Sequence, residues 1–336
     1  MIMSKSDVMQ AAWFDKFGPA NDVLTLGEIA KPRAAAGEVL IRMKTTGVHP
    51  SDVKKRAGAL PDLLDGGIVV PHSDGAGVIE SVGEGVSSQR IGERVWVYQA
   101  QFARRFGSAA QYLAIDASRA ALLPENTSFE VGACLGIPMM TSHRCVFSDG
   151  PVEGMTVLIT GGAGRVGYYA IQWARQAGAR VIATASNDTD KSACESIGAD
   201  LVVNHRQENW AEAIMSFTRG EKVDRVIDVE FGANLSEVLK LIGTGGTIAT
   251  YSSTRVKEPK LPFLQMMYLN LSLHLVIVYA MPEVAKQAAI TDINAKLAND
   301  EFQHRIAHVL DFEDIARSHE LIEQGGFRGC VVVRID

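Results

Sequence analysis

Residues 157–187 read VLITGGAGRVGYYAIQWARQAGARVIATASN. Gly162, Gly164 and Gly167 stand in the spacing G-x-G-x-x-G, between an apolar run and a pattern in which Val166, Ala170, Ile171 and Ala174 recur on one helical face. That arrangement can seat the diphosphate of a dinucleotide. The first glycine permits a tight turn out of the strand, the second lets the diphosphate approach the backbone, and the third lets the helix pack closely. The diphosphate then meets a helix N-terminus, where N–H groups and the helix dipole favour negative charge. Ala163, Arg165 and Val166 would line that turn.

Such a unit usually ends its second strand in Asp or Glu, which binds the ribose hydroxyls and repels a 2′-phosphate. Ala185 holds that place here. Ser186 and Asn187 follow and can donate hydrogen bonds, while Lys191, His205 and Arg206 offer positive charge. The set favours NADPH over NADH. Asp188 and Asp190 share the loop, and Asp188 is close to the spacing of about 20 residues at which a ribose-binding acid stands. Whether Lys191 or an aspartate faces the ribose is open at this point.

The elements that must hold these residues alternate. The runs TVLIT, RVIATA, LVVN, RVIDV, GTIATY and SLHLVIVY are separated by helical patterns at 166–177, 189–196, 208–218 and 233–242. Strand–helix alternation implies a doubly wound parallel sheet buried on both faces. Before about residue 125, short β-branched runs such as GEVLIRMKTTGV and IGERVWVYQA are broken by Gly and Pro, which suggests a barrel-like β domain. Thr127-x-x-Glu130 has capping-box spacing at the change of pattern. The C-terminal residues give a helix and a short strand that do not extend the alternation. We therefore expect a discontinuous domain of residues 1–127 and 285–336, and a second domain of residues 128–284.

With 336 residues there is room for two domains, and 47% apolar with 21% charged residues is ordinary for a globular enzyme. A net charge of −6 leaves no footprint for nucleic acid. Cys134, Cys145, Cys194 and Cys330 are scattered, with no C-x-x-C pair for a structural zinc site or a disulfide framework. The segment MIMSKSDVMQ lacks the apolar stretch of a leader, and LNLSLHLVIVYAM is too short to span a bilayer. A cytoplasmic setting without membrane association is the expectation.

TTGVHPSDVKKRAG, PHSDGAGVIESVGEGV, IGERVWVY, GSAAQYLAIDASRAALLPENTSFEVGACLGIPMMTSH and VLITGGAGRVG resemble the medium-chain dehydrogenase/reductase superfamily, in the zinc-free quinone oxidoreductase (ζ-crystallin-like) branch. The resemblance implies a GroES-like β domain plus a Rossmann domain with the active site between them. It also implies NADPH, and a homodimer in which Rossmann edge strands pair; SLHLVIVY is the candidate edge. The positions that hold a catalytic zinc in related alcohol dehydrogenases correspond to His49, Ser73 and Ile137, with His72 one residue away. Isoleucine cannot ligate, and a catalytic zinc needs three protein ligands.

Without a metal to polarise an alcohol, the chemistry that suits a hydride donor is reduction of quinones or α,β-unsaturated carbonyls. Where similar enzymes carry Asn and Tyr, this sequence has His49 and Lys54. Either could hydrogen-bond an oxyanion, and His49 could act as a general acid. The resemblance places Thr141 near the nicotinamide and Val278-Tyr279 near its carboxamide. Tyr251-Ser252 closes a strand at its carboxyl end, where cofactors lie. Tyr98, Met139 and Met140 are candidates for a substrate pocket. Two further readings stand beside the quinone or enone reductase: a reductase of an enoyl thioester or 2-alkenal, and an NADPH-binding protein with little turnover.

Overall fold

The structure, a computed structural model, describes residues 7–335, so the first six residues of the segment MIMSKSDVMQ lie outside it. Along the chain come β1 (Val8–Trp13), β2 (Thr25–Ala30), β3 (Glu38–Val48), β4 (Asp74–Val82), β5 (Arg94–Val97), β6 (Tyr112–Asp116) and β7 (Ala120–Leu122). Then follow β8 (Thr156–Ile159), β9 (Arg180–Ala185), β10 (Leu201–Asn204), β11 (Val223–Asp228), β12 (Ile242–Thr250) and β13 (Ser272–Leu275). β14 (Ile306–Leu310) and β15 (Cys330–Arg334) close it. The chain packs as two compact units, one ending at Ile137 and resuming at Ile290, the other Pro138–Ala289. The sequence reading divides the chain at 127/128 and 284/285. The helix Phe129–Gly132 packs on β3 and β4, which keeps residues 128–137 with the first unit.

In the first unit a seven-stranded sheet runs β14-β15-β3-β4-β5-β7, with β6 also on β3. β15 pairs antiparallel with β3, so the C-terminal strand belongs to this unit. β14, parallel to β15, was not visible in the sequence, because IAHVL is only half-buried and its alternation is weak. The core gathers residues such as Val39, Ile41, Met43, Ile79, Val95, Leu113 and Val331. The helix cap sits one residue later than Thr127: Ser128 Oγ accepts from Val131 N at 3.2 Å, and Thr127 is buried.

In the second unit β8–β13 form one parallel sheet in the order β10-β9-β8-β11-β12-β13. The order reverses between β8 and β11, and ligands of such sheets bind outside the carboxyl ends at that switch. Val157, Leu158 and Ile159 are all fully buried, as a sheet covered on both faces requires. The helices Arg165–Gln176, Asp188–Ser196, Trp210–Phe217 and Phe231–Leu241 match the spacing of the sequence pattern. SLHLVIVY is shorter as a strand than expected. β12 ends at Thr250, and Val276 N makes the last bond to it at 2.7 Å, so Val278–Ala280 turns into a single 3₁₀ turn.

Candidate active site

The glycine turn leaves β8 through Thr160. The residue in the left-handed conformation is Gly161 (φ +64°), not Gly162, so the tight turn comes one residue earlier than the motif suggests. Gly162 serves close packing instead: a Cβ there would stand 2.9 Å from the Ala183 Cβ and 3.0 Å from Cys194 Sγ. A Cβ on Gly167 would meet the Gly161 carbonyl oxygen at 2.4 Å, whereas one on Gly164 meets nothing nearer than 3.1 Å. Thr184 pins the turn from β9, its Oγ1 accepting from Gly161 N and its carbonyl from Gly162 N, both at 2.9 Å. Gly164 caps the helix that begins at Arg165 and Val166, and Ala163 is buried in the turn.

A groove of about 260 Å³ opens at the carboxyl ends of β8, β9, β11 and β12. It is lined by Thr160, Gly161, Thr184, His205, Trp210, Val229, Glu230, Asn234, Ser252, Thr254 and Arg255. Fully buried Asp228 ties its walls together: Oδ1 accepts from Thr160 Oγ1 at 2.6 Å, Asn234 Nδ2 at 2.8 Å and Glu230 N at 3.1 Å. Of the residues singled out in the sequence, His205 and Ser252 line it, whereas the glycine turn reaches it only through Gly161, and Gly162, Ala163, Gly164, Arg165, Val166 and Gly167 are not among the lining residues. Thr160, Thr184, Asp228, Glu230 and Arg255 were missed. Their signal was position alone, since each ends a strand or follows one at the carboxyl edge.

The loop after β9 resolves the two aspartates. Asn187 caps the next helix, its Oδ1 accepting from Asp190 N at 2.8 Å, and its Nδ2 donates to Asp190 Oδ2 at 3.0 Å. Ser186 Oγ lies 3.4 Å from the same oxygen. Asp190 is thus turned inward and buried, while Asp188 is exposed. Lys191 is exposed, within 3.9 Å of Glu195, and does not line the groove. Thr141 and Val278 are buried, and Tyr251 is half-buried. Burial, with Cys145 and Asp228 nearby, drives the Tyr251 phenol well above its ordinary range.

The first unit holds a separate buried polar cluster. His49 begins the helix Pro50–Arg56, and its N–H donates to Asp52 Oδ2 at 3.0 Å. Its Nε2 lies 2.8 Å from Asp74 Oδ2, off the line of an ideal hydrogen bond, and both side chains are sealed from solvent. Ile137 N donates to the same Asp74 oxygen at 2.6 Å. Burial opposes the charged imidazole, but Asp74 and Asp52 together hold the His49 pKa above its usual value. Burial also raises the Asp74 carboxyl, against the pull of His49. Lys54 is exposed on the helix and does not join His49. Its neighbour Lys55 is buried, 3.3 Å from Asp52 Oδ1 and 3.4 Å from Ser73 Oγ, and donates to the Gln101 side chain. Asp52, Val53, Lys55 and Arg56 of this helix are buried, and Lys54 falls on the arc left to solvent.

Beside this cluster His72 holds a left-handed conformation (φ +76°), uncommon for a side chain of its size. Its ring is fixed at both ends, with Nδ1 3.0 Å from Thr46 Oγ1 and Nε2 2.8 Å from His319 Nε2. Ser108 donates its one hydroxyl proton to the Asp74 carbonyl at 2.6 Å, and Thr46 reaches the same carbonyl at 3.2 Å. His319 Nδ1 is buried with no hydrogen-bond partner. Burial pushes the His72 pKa down to about 3 and that of His319 well below its ordinary value.

Comparison with known proteins follows the two units. Residues 35–125 match the alcohol dehydrogenase GroES-like domain, and residues 166–294 match the zinc-binding dehydrogenase family. The chain is 33% identical to the quinone oxidoreductase of Rattus norvegicus over 72% of each chain. It is 31% identical to the 2-methylene-furan-3-one reductase of Solanum lycopersicum over 65% of this chain and 60% of that one. A mycobacterial protein solved in complex with NADPH superposes with a TM-score of 0.84 at 25% identity, covering 97% of this chain and 100% of that one. The second family description raises the question of zinc. The residues present do not fit it: Ile137 has no ligating atom, His49 Nε2 faces Asp74, and the Lys55 ammonium stands at Ser73. Among the described residues no three His, Cys, Asp or Glu side chains are grouped to hold a metal ion.

Proposed function

The chain belongs to the medium-chain dehydrogenase/reductase superfamily, in its quinone oxidoreductase branch, and from that premise we propose that it is a zinc-independent, NADPH-dependent reductase of quinones or α,β-unsaturated carbonyls. The observation that carries this reading is the groove at the β8/β11 switch, entered by a glycine turn and bordered by a β9 that ends in Ala185. NADPH, when bound, supplies the hydride. Gly161–Gly167 would seat its diphosphate against the helix N-terminus. Asp190 is locked into the cap at Asn187, and β9 ends in Ala185 where a ribose-binding acid usually stands.

The zinc-independent part rests on the side chains at the three candidate positions, since an ammonium and an isoleucine replace ligands. The acceptor that best suits a bare hydride donor has an electron-poor carbon and a carbonyl oxygen that collects charge. Likeness to a quinone oxidoreductase and to a 2-methylene-furan-3-one reductase supports both acceptor types. We propose His49, paired with Asp74 at 2.8 Å, as the donor of the proton that completes the reduction.

β13 is the edge of its sheet, with Leu275 73% exposed and Phe263 and Tyr268 exposed just before it. An apolar, unpaired strand edge is a template for a second strand, which supports a homodimer joined there. No helix among the described residues is long and apolar enough to cross a membrane. The test is a titration of NADPH against NADH, followed by NADPH oxidation with 1,4-benzoquinone and with a simple enone. Tight NADPH binding with no turnover on either acceptor would leave a narrow enoyl thioester or 2-alkenal substrate, or a binding protein, as the reading.

A further inference from the structure

One cation of the groove is held in place by its backbone and uncommitted at its side chain. Glu230 follows β11, and its carboxylate accepts three backbone N–H groups of the loop after β12: Thr254 at 2.9 Å, Arg255 at 2.8 Å and Val256 at 3.4 Å. Gly232 N donates to Ser253 Oγ at 3.0 Å, and Ser253 Oγ donates back to the Val256 carbonyl, closing the loop on itself. There is no room for a side chain under it, since a Cβ on Gly232 would stand 2.3 Å from the Val256 carbonyl oxygen. The Arg255 backbone is therefore fixed on the groove wall.

Its guanidinium, by contrast, makes no hydrogen bond or ion pair among the described residues. The Glu230 carboxylate is engaged by the three backbone N–H groups of this loop rather than by that guanidinium. Lys191, the cation favoured by the sequence, leans toward Glu195 and stays outside the groove lining. An uncommitted guanidinium, in a groove whose other polar lining is hydroxyls, an amide, an indole, an imidazole and a Glu230 carboxylate already held by backbone N–H groups, is suited to a phosphate, which its planar fork binds through two N–H groups.

We propose that Arg255 binds a phosphate group of the nucleotide held in this groove, and that Glu230 is the positioning residue that sets its reach. This rests on the cofactor reading given above. The shared chemistry is a phosphate ester, and two sources could supply it: the 2′-phosphate of NADPH or the diphosphate common to NADPH and NADH.

The experiment is calorimetric titration of NADPH and of NADH into the wild-type chain and the variants R255Q, R255K and E230Q, at low and at raised salt. R255Q is expected to weaken NADPH binding by roughly tenfold or more, as loss of a charge-assisted contact does. The difference from wild type should shrink at raised salt, because an exposed ion contact is screened. R255K should recover part of the loss, and E230Q should lose part of the affinity with the same salt dependence. A loss confined to NADPH assigns the 2′-phosphate, and an equal loss for both cofactors assigns the diphosphate. R255Q binding both cofactors like wild type at low salt overturns this assignment alone. A wild-type chain that binds neither overturns the cofactor reading and this assignment with it.

Discussion

His49 Nε2 and Asp74 Oδ2 lie 2.8 Å apart inside the first unit, with neither side chain open to solvent. Breaking one side of a buried pair leaves an uncompensated partner, at a cost of roughly 3–5 kcal/mol. Asp74→Asn should lower stability on that scale and bring the His49 pKa down, since burial then acts with less opposition. The folded His49 pKa is raised, so its contribution is fully present below about pH 6.5 and is lost as pH rises through the folded value. Denaturant unfolding across pH checks this: wild type should lose stability as pH climbs above that window, and the variant should not. Equal slopes would refute the coupling.

The His72–His319 pair works in the opposite direction. Both pKa values are depressed in the folded chain, so the unfolded chain binds more protons in acid. Stability should fall from about pH 6.5 toward 3, by roughly 1.4 kcal/mol per pH unit for each histidine. His274 and His304 are also lowered and add to the slope. His319→Gln should flatten the acid limb, as unfolding measured between roughly pH 4 and 8 would show. An unchanged limb would mean that the pair is not what makes the fold acid-sensitive.

Two glycines of the turn should separate folding from binding. Gly167→Ala drives a methyl into the Gly161 carbonyl, so the turn must shift, at roughly 1–3 kcal/mol, and cofactor binding should fall with it. Gly164→Ala brings its methyl to 3.1 Å from the same carbonyl oxygen, a tight but smaller conflict, and should cost less stability than Gly167→Ala, while losing NADPH because the backbone can no longer be approached. Thermal melts and titrations of both variants check the contrast. A Gly164→Ala chain that binds normally would place the diphosphate elsewhere.

Ala185→Asp restores the acid at the end of β9. It should shift the NADPH-to-NADH affinity ratio toward NADH by roughly tenfold or more, through repulsion of the 2′-phosphate. Paired titrations give the ratio directly, and an unchanged ratio would put the 2′-phosphate out of reach of this position.

How far the sequence could be read depended on what kind of signal each feature carried. The parallel sheet was legible because its runs and helices follow two clean periodicities and no residue in them needs a distant partner. The glycine motif was legible to within one residue, since sequence spacing cannot tell which of Gly161 and Gly162 takes the positive φ. The groove walls were not. Glu230 and Arg255 are set 25 residues apart in the chain, and a carboxylate holding backbone N–H groups leaves no pattern in side-chain types. Lys54 and Lys55 differ by a single step of helix rotation, and no periodicity over a seven-residue helix decides which is buried. Asp188 and Asp190 were separable only once the cap at Asn187 was seen.

The most direct test of the account is one experiment on the intact chain: NADPH and NADH titrated side by side, then loss of reduced nicotinamide followed with 1,4-benzoquinone and with a simple enone, before and after exhaustive chelation. The account predicts tighter binding of NADPH and turnover with at least one acceptor, unaffected by the chelator. Preference for NADH, or turnover that disappears on chelation and returns with zinc, would contradict it.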